Sequence, residues 1–115
     1  MDELFTEDFG EHTPLGPPTN GRDMVKQSLR GVFTALPDLR VTIDDMIAEG
    51  DKVVVRFTSQ ATHQGDLMGI PATGKPVTTT TITILRFVDG KIAEDWVETD
   101  MLGMMRQLGV IPAPN

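Results

Sequence analysis

The chain has no cysteine. That excludes a disulfide framework and thiolate metal sites. Cations are scarce: 10 Lys and Arg stand against 17 Asp and Glu, for a net charge of -7. Such a surface repels phosphate backbones, so no nucleic-acid partner is expected. There are only two histidines, with no close ligand spacing, so no metal site and no cofactor are expected. No apolar run approaches the ~20 residues that span a bilayer, and no membrane partner is expected. The opening MDEL is acidic with no apolar stretch behind it; no signal peptide is expected, and the expected location is the cytoplasm. No glycine-rich phosphate loop follows a strand. GIPATGK only superficially resembles a nucleotide-binding loop, because it lacks the terminal Ser or Thr and the strand-to-helix setting.

What remains is one domain of 115 residues, long enough to bury roughly two thirds of its unfolded surface. Met1, Leu4, Phe5 and Phe9 fall at helical spacing and predict a short first helix. GEHTPLGPPTNG reads as a loop, with His12 near its start. Asn20 is placed to cap a helix carrying the stripe Met24, Val25, Leu29, Val32, Phe33 and Leu36, which Pro37 ends. The period then changes to two. Strands are predicted from Leu39 through Ile47, from Lys52 to His63, from Val77 to Val88 and from Lys91 to Thr99. Asp89-Gly90 marks a hairpin, and a last helix runs to Leu108, with Gly109 as its stop. The order is helix, helix, four-stranded meander, helix. Long antiparallel strands twist, so the expected architecture is α+β: a curved mixed or antiparallel sheet wrapped around helices, with a conical pocket.

In the last strand Ile92, Glu94, Trp96, Glu98 and Asp100 share a face, and Trp96 marks it as the inward one. A poorly solvated Asp100 would have a raised pKa and serve as base and then acid. The same residue also reads as a helix N-cap. His63, ahead of a lid-like loop holding Leu67, Met68 and Ile70, is either a partner for Asp100 or a solvent-facing strand end. His12 is either a loop hydrogen-bonder or a pocket-rim residue. Glu94 is expected to pair with Arg86 or Arg56. The threonine run in the third strand reads as two-sided, and its outward face is a candidate dimer surface.

GDLMGIPATGKPV, LRFVDGKIAEDW and ETDMLGMMRQLG resemble the SnoaL-like polyketide cyclases, of the nuclear-transport-factor-two-like superfamily of cone-shaped α+β barrels. DELFTEDFGEH and PDLRVTIDDMIAEGDKVVVRFT extend the resemblance over nearly the whole chain. It implies an intramolecular aldol cyclase without metal or cofactor, acting on a small apolar or aromatic carbonyl compound. Asp100 takes the acid/base position and His63 the assisting one. The pocket would be lined by Trp96, Phe57, Met68, Ile82, Arg86, His12, Phe9 and Phe33. A non-catalytic small-molecule-binding or dimerisation module on the same fold is the alternative. Family members usually carry a further helix of roughly five turns before the DELF-like segment. Without such cover the exposed apolar faces imply a homodimer or higher oligomer, or a more open pocket.

Overall fold

The computed structural model describes residues 4–13, 19–67 and 69–111. In chain order these form β1 (Phe5–His12), β2 (Thr19–Asn20), α1 (Arg22–Ala35), β3 (Arg40–Glu49), β4 (Lys52–Thr62), β5 (Pro76–Val88), β6 (Lys91–Thr99) and α2 (Met101–Gln107). One open mixed sheet runs β2-β1-β6-β5-β4-β3. Every pairing is antiparallel except β1 with β6. This is the expected curved α+β architecture, and the predicted meander forms β3 to β6.

From Phe5 the first predicted helix is instead a strand, and Met1 lies outside the described residues. Four apolar residues at helical spacing cannot outweigh the costly first turn of so short a segment. As a strand, residues 5–12 find partners for their backbone on β6, with Phe5 beside Ile92 and His12 beside Trp96. The Phe9 side chain becomes fully buried and meets the Phe5 ring edge-on at 4.8 Å. The predicted loop after it is therefore shorter, because residues 10–12 continue β1 and Asn20 lies in β2. Asn20 does not cap α1. Gly21 holds the N-cap position, with no side-chain bond to the helix. The apolar stripe of α1 divides: Val25 is buried and Leu29, Val32 and Leu36 are half-buried, while Met24 and Phe33 are exposed.

Threonine and valine build β5 because β-branched side chains suit a pleated surface. Along this strand burial alternates strictly from Pro76 to Ile84. Val77, Thr79, Thr81 and Thr83 are buried, and Thr78, Thr80, Ile82 and Ile84 are exposed. The registers carry this division across the sheet. Val55, Phe57 and Ser59 on β4, with Val97 and Asp95 on β6, lie on the buried face. The turn into β6 uses Asp89 at φ 50° and Gly90 at φ 80°, the left-handed pair that a tight hairpin requires. At one end of the buried face α2 packs Met104 and Leu108 on Val77. Leu67 and Ile70 pack against the same cluster, which explains apolar residues in that loop. Met68 lies outside the described residues. Among the described residues no helix is long and apolar enough to cross a membrane.

Candidate functional site

The face assignment of β6 is the reverse of the sequence expectation. Trp96 is half-buried on the opposite face, and Asp95 is the residue that points inward, at 7 % exposure. The large ring was the reason to expect Trp96 inside. It is covered differently, by the His12 ring stacked on it at 5.4 Å with planes 12° apart. His12 Nε2 donates to Glu94 Oε2 at 2.6 Å, and Arg86 Nε donates to Glu94 Oε1 at 3.1 Å. Glu94 thus pairs with Arg86 as expected and with His12 as well. These two donors, His12 before Arg86, hold the Glu94 carboxyl below the usual carboxylate range.

The expected pocket residues therefore separate. Trp96, Arg86 and His12 meet on one face, and Ile82 lies on that same face of β5, exposed. Phe57 lies on the buried face, opposite Thr81. Phe9 is buried, and Phe33 is 55 % exposed on α1.

Asp100 sits just past the end of β6. Its Oδ1 accepts the Gly103 N–H at 2.9 Å, so it caps α2, and its side chain is exposed. It also edges an open groove of about 360 Å³ shared with Arg56, Thr80, Ile82 and Glu98. His63 is fully buried and does not face solvent. Its Nδ1 accepts the Thr73 N–H at 3.3 Å and lies 3.0 Å from Thr73 Oγ1. Its backbone closes the loop at both ends, donating to Lys75 O and accepting from Gly74 N. The physical reason is that residues 63–75 need an anchor that a solvent-facing ring would not supply. Among the described residues no hydrogen bond joins His63 to Asp100.

The sequence reading missed Asp95, Glu11 and Thr83. Parallel pairing of β1 with β6 sets Glu11 beside Asp95. Burial, reinforced by the charge of Glu11 and a hydrogen bond to it, pushes the Asp95 carboxyl up to about 8. Asp95 Oδ1 and Thr83 Oγ1 are both shielded from solvent without a hydrogen-bond partner. The signal available was the alternation Ala93, Asp95, Val97, which matches the buried threonines of β5. Glu11 had no signal, because its strand was read as a loop. Among the described residues no group of three or more acidic or histidine side chains has a metal-holding arrangement.

A buried carboxyl hydrogen-bonded to a second carboxyl can hold and transfer a proton near neutral pH. The comparisons with known proteins bear on the family. The profile of the SnoaL-like polyketide cyclases matches residues 1–108. Aklanonic acid methyl ester cyclase DnrD of Streptomyces peucetius is 42% identical over 62 residues, covering 52% of this chain and 41% of that protein. The match thus spans about two fifths of the cyclase's length. Among solved structures, TsrD of Streptomyces laurentii superposes with a TM-score of 0.86 at 33% identity, covering 96% of this chain and 81% of that one. AclR of Streptomyces galilaeus, a candidate hydroxylase, gives a TM-score of 0.83 at 35% identity over 96% of this chain and 69% of its own. With a profile match over nearly its whole length and a shared cone-like α+β sheet, the chain belongs to the SnoaL-like polyketide cyclase family.

Proposed function

We propose that this chain is a cofactor-independent cyclase that closes a ring in a small apolar carbonyl compound by acid/base catalysis on the buried face of its sheet. The observation that carries the reading is the Glu11–Asp95 carboxyl pair set side by side by the β1–β6 register, with Asp95 buried and its carboxyl pushed up by that burial and by Glu11. Aldol closure needs both proton movements that such a pair supplies. Glu11 accepts the proton alpha to one carbonyl. The resulting carbon attacks a second carbonyl carbon of the same molecule. Asp95 delivers its proton to the alkoxide oxygen that forms. The shared hydrogen bond then returns the proton from Glu11 to Asp95.

Asp100, the acid/base position implied by the family resemblance, is the second candidate. Its place at the rim of a groove lined by Arg56 and Ile82 favours it. The protein is proposed to act in the cytoplasm and as a homodimer or higher oligomer. The support for oligomerisation is the exposed apolar series Val41, Ile43 and Met46 on β3. That open surface equally favours a non-catalytic binding module on the same fold.

Incubation with aklanonic acid methyl ester, the compound named for DnrD, tests the reading. Ring closure is expected with the wild type, and Asp95→Asn is expected to slow it by roughly 10²–10⁴-fold. Full turnover in Asp95→Asn together with loss in Asp100→Asn would transfer the role to Asp100. No closure of this ester or related keto esters by the wild type would favour the binding module.

A further inference from the structure

Asparagine stands at positions 20 and 115 only, and Asn20 is followed by glycine. An Asn-Gly step carries its own chemistry. The amide nitrogen of Gly21 can close a five-membered ring on Asn20 Cγ, and glycine puts no Cβ in the way of that approach. Asn20 is exposed. It edges an open groove of about 310 Å³ with Glu7, Arg22 and Met24, so water reaches it.

The fold holds this step in check. Asn20 is the last residue of β2, whose two residues pair with Gly10 and Glu11 of β1. The Gly21 N–H donates to Phe9 O at 2.6 Å. Asn20 Oδ1 leans over Gly10, 3.5 Å from where a Cβ on that glycine would stand. The attacking nitrogen is therefore engaged, and the amide it would attack is held against the neighbouring strand. Phe9, whose carbonyl accepts the bond, is fully buried. Yet β2 is only two residues long, and so short a strand opens locally at far lower cost than the whole chain unfolds.

We propose that Asn20-Gly21 is a self-modifying site that converts to aspartyl and isoaspartyl forms, and that the pairing of β2 with β1 gates the conversion. When the pair opens, hydroxide takes the Gly21 amide proton. The nitrogen bonds to Asn20 Cγ, and the side-chain nitrogen leaves as ammonia, protonated by water. A second water opens the cyclic imide at one of its two carbonyl carbons. Cleavage at Cγ leaves an ordinary aspartate. Cleavage at the main-chain carbonyl leaves an isoaspartate, whose backbone runs through Cβ and Cγ. The sum consumes one water and releases one ammonia.

The two products act differently on the fold. Aspartate at position 20 keeps the backbone and adds a negative charge just ahead of α1, in the groove that holds Arg22. Isoaspartate lengthens the main chain by one carbon. Gly21 then cannot keep its bond to Phe9 while residue 20 stays opposite Gly10. The same end of β1 carries His12, stacked on Trp96. The isoaspartyl form loosens that contact between the first and last strands, and Trp96 reports it.

The test follows residue 20 by peptide mapping and mass spectrometry at pH 8.5. Mapping keeps it apart from Gln64-Gly65 and Asp89-Gly90, where related ring closures start from other side chains. A synthetic PTNGRD peptide, measured with and without urea, sets the unguarded rate. The full chain in concentrated urea should convert about as fast as the peptide, and the folded chain at least about tenfold more slowly. In dilute urea, conversion should rise together with hydrogen exchange of the Gly21 amide and ahead of the β4 and β5 amides. Asn20→Gln should stay unconverted throughout, since its longer side chain would have to close a six-membered ring. Wild-type chain rich in isoaspartate should show Trp96 emission shifted to the red, and Asn20→Asp, with the ordinary linkage, should not. A folded chain that converts as fast as the peptide would overturn the gate. So would conversion that rises only with exchange of the β4 and β5 amides. A peptide and an unfolded chain that both stay unconverted would overturn the site itself. Isoaspartyl chain with unshifted emission would overturn its link to the His12–Trp96 contact.

Discussion

The imidazole of His12 lies flat against the indole of Trp96, with centroids 5.4 Å apart and planes 12° from parallel. The contact clasps the first strand to the last, and Glu94 locks it by accepting from both His12 and Arg86. It also accounts for the orientation of β6. With His12 covering the indole, Trp96 can sit on the outer face, and Asp95 takes the inward position. The clasp thereby sets the geometry of the buried carboxyl pair, because the same parallel register brings Glu11 beside Asp95.

The clasp can be read through the single tryptophan. His12→Ala should uncover the indole and shift its emission to the red. It should also raise the Glu94 carboxyl toward its ordinary value, since the His12 bond is the largest cause of the lowering. A lowered carboxylate contributes stability that is present above its unfolded pKa and lost as pH falls through the folded one. Denaturation curves of wild type and His12→Ala should therefore differ near pH 7 and draw together as pH falls below about 4. Carboxyl titration by carbon NMR checks the Glu94 shift directly.

Asp95 has the opposite sign. Its folded pKa, about 8, is above the unfolded value near 3.8. Between these values the folded state binds more protons than the unfolded state, so this group makes stability fall as pH rises from about 4 to 8 and adds no further slope above that. Asp95→Asn cannot ionise. Relative to wild type it should gain stability progressively across that window, reaching a few kcal/mol at pH 9, an order-of-magnitude figure from ~1.4 kcal/mol per pKa unit. Urea denaturation at several pH values measures this, and a constant difference between the two proteins would show that Asp95 is not held neutral.

Most of the fold was legible because period-two patterning and turn residues agree over residues 39–99. The hairpin at Asp89-Gly90, the end of α1 before Pro37 and the cap at Asp100 all follow from local chemistry. Two things were not legible. Phe5 and Phe9 fit a helical stripe and a strand equally well, and only the long-range pairing with Ile92 and Trp96 decides between them. The face of β6 was misread from residue size. Trp96 is the larger apolar group, but burial there is decided by which neighbouring strand offers cover. That strand, β1, was read as a helix up to Phe9 and as a loop beyond it. The two errors have one origin, and together they hid Asp95 and Glu11.

Asp100 supplies a test that separates capping from chemistry. Its carboxylate accepts from Gly103 N at 2.9 Å. Asp100→Ala should cost about 1 kcal/mol, while Asp100→Ser restores an N-cap acceptor and should recover most of that loss. Thermal unfolding should show a fall of several degrees for the alanine variant and little for serine. Ring-closing activity that follows the same recovery would assign Asp100 a structural role. Activity lost in both variants would assign it a chemical one.

Gly65 marks where the loop after His63 passes closest to α1. A Cβ there would lie 2.9 Å from Thr34 O and 3.1 Å from Ala35 Cα, both backbone atoms that cannot swing aside. The Gly65 and Gln64 N–H groups also donate to Ala35 O at 3.1 and 2.9 Å, so the approach is fixed. Gly65→Ala should destabilise the protein by about 1–3 kcal/mol through overpacking. It should also loosen the Thr73 anchor on His63, seen as faster amide exchange at Thr73 and Gly74.

The apolar surface of β3 carries the last prediction. Val41, Ile43 and Met46 are 53%, 56% and 56% exposed, and the registers put them on the side shared with Ser59, Phe57 and Val55. Contiguous exposed apolar groups of this kind mark an interaction surface. If a second copy covers them, wild-type protein should sediment as a dimer or larger species at micromolar concentration. Ile43→Lys with Met46→Lys should then shift it to monomer, because burying two lysines opposite their own copies leaves unpaired charge in the contact. The variant should keep its thermal stability measured at high dilution, where the wild type is also dissociated. A wild type that sediments as a monomer at all accessible concentrations would rule out this interface and leave β3 open to solvent or ligand.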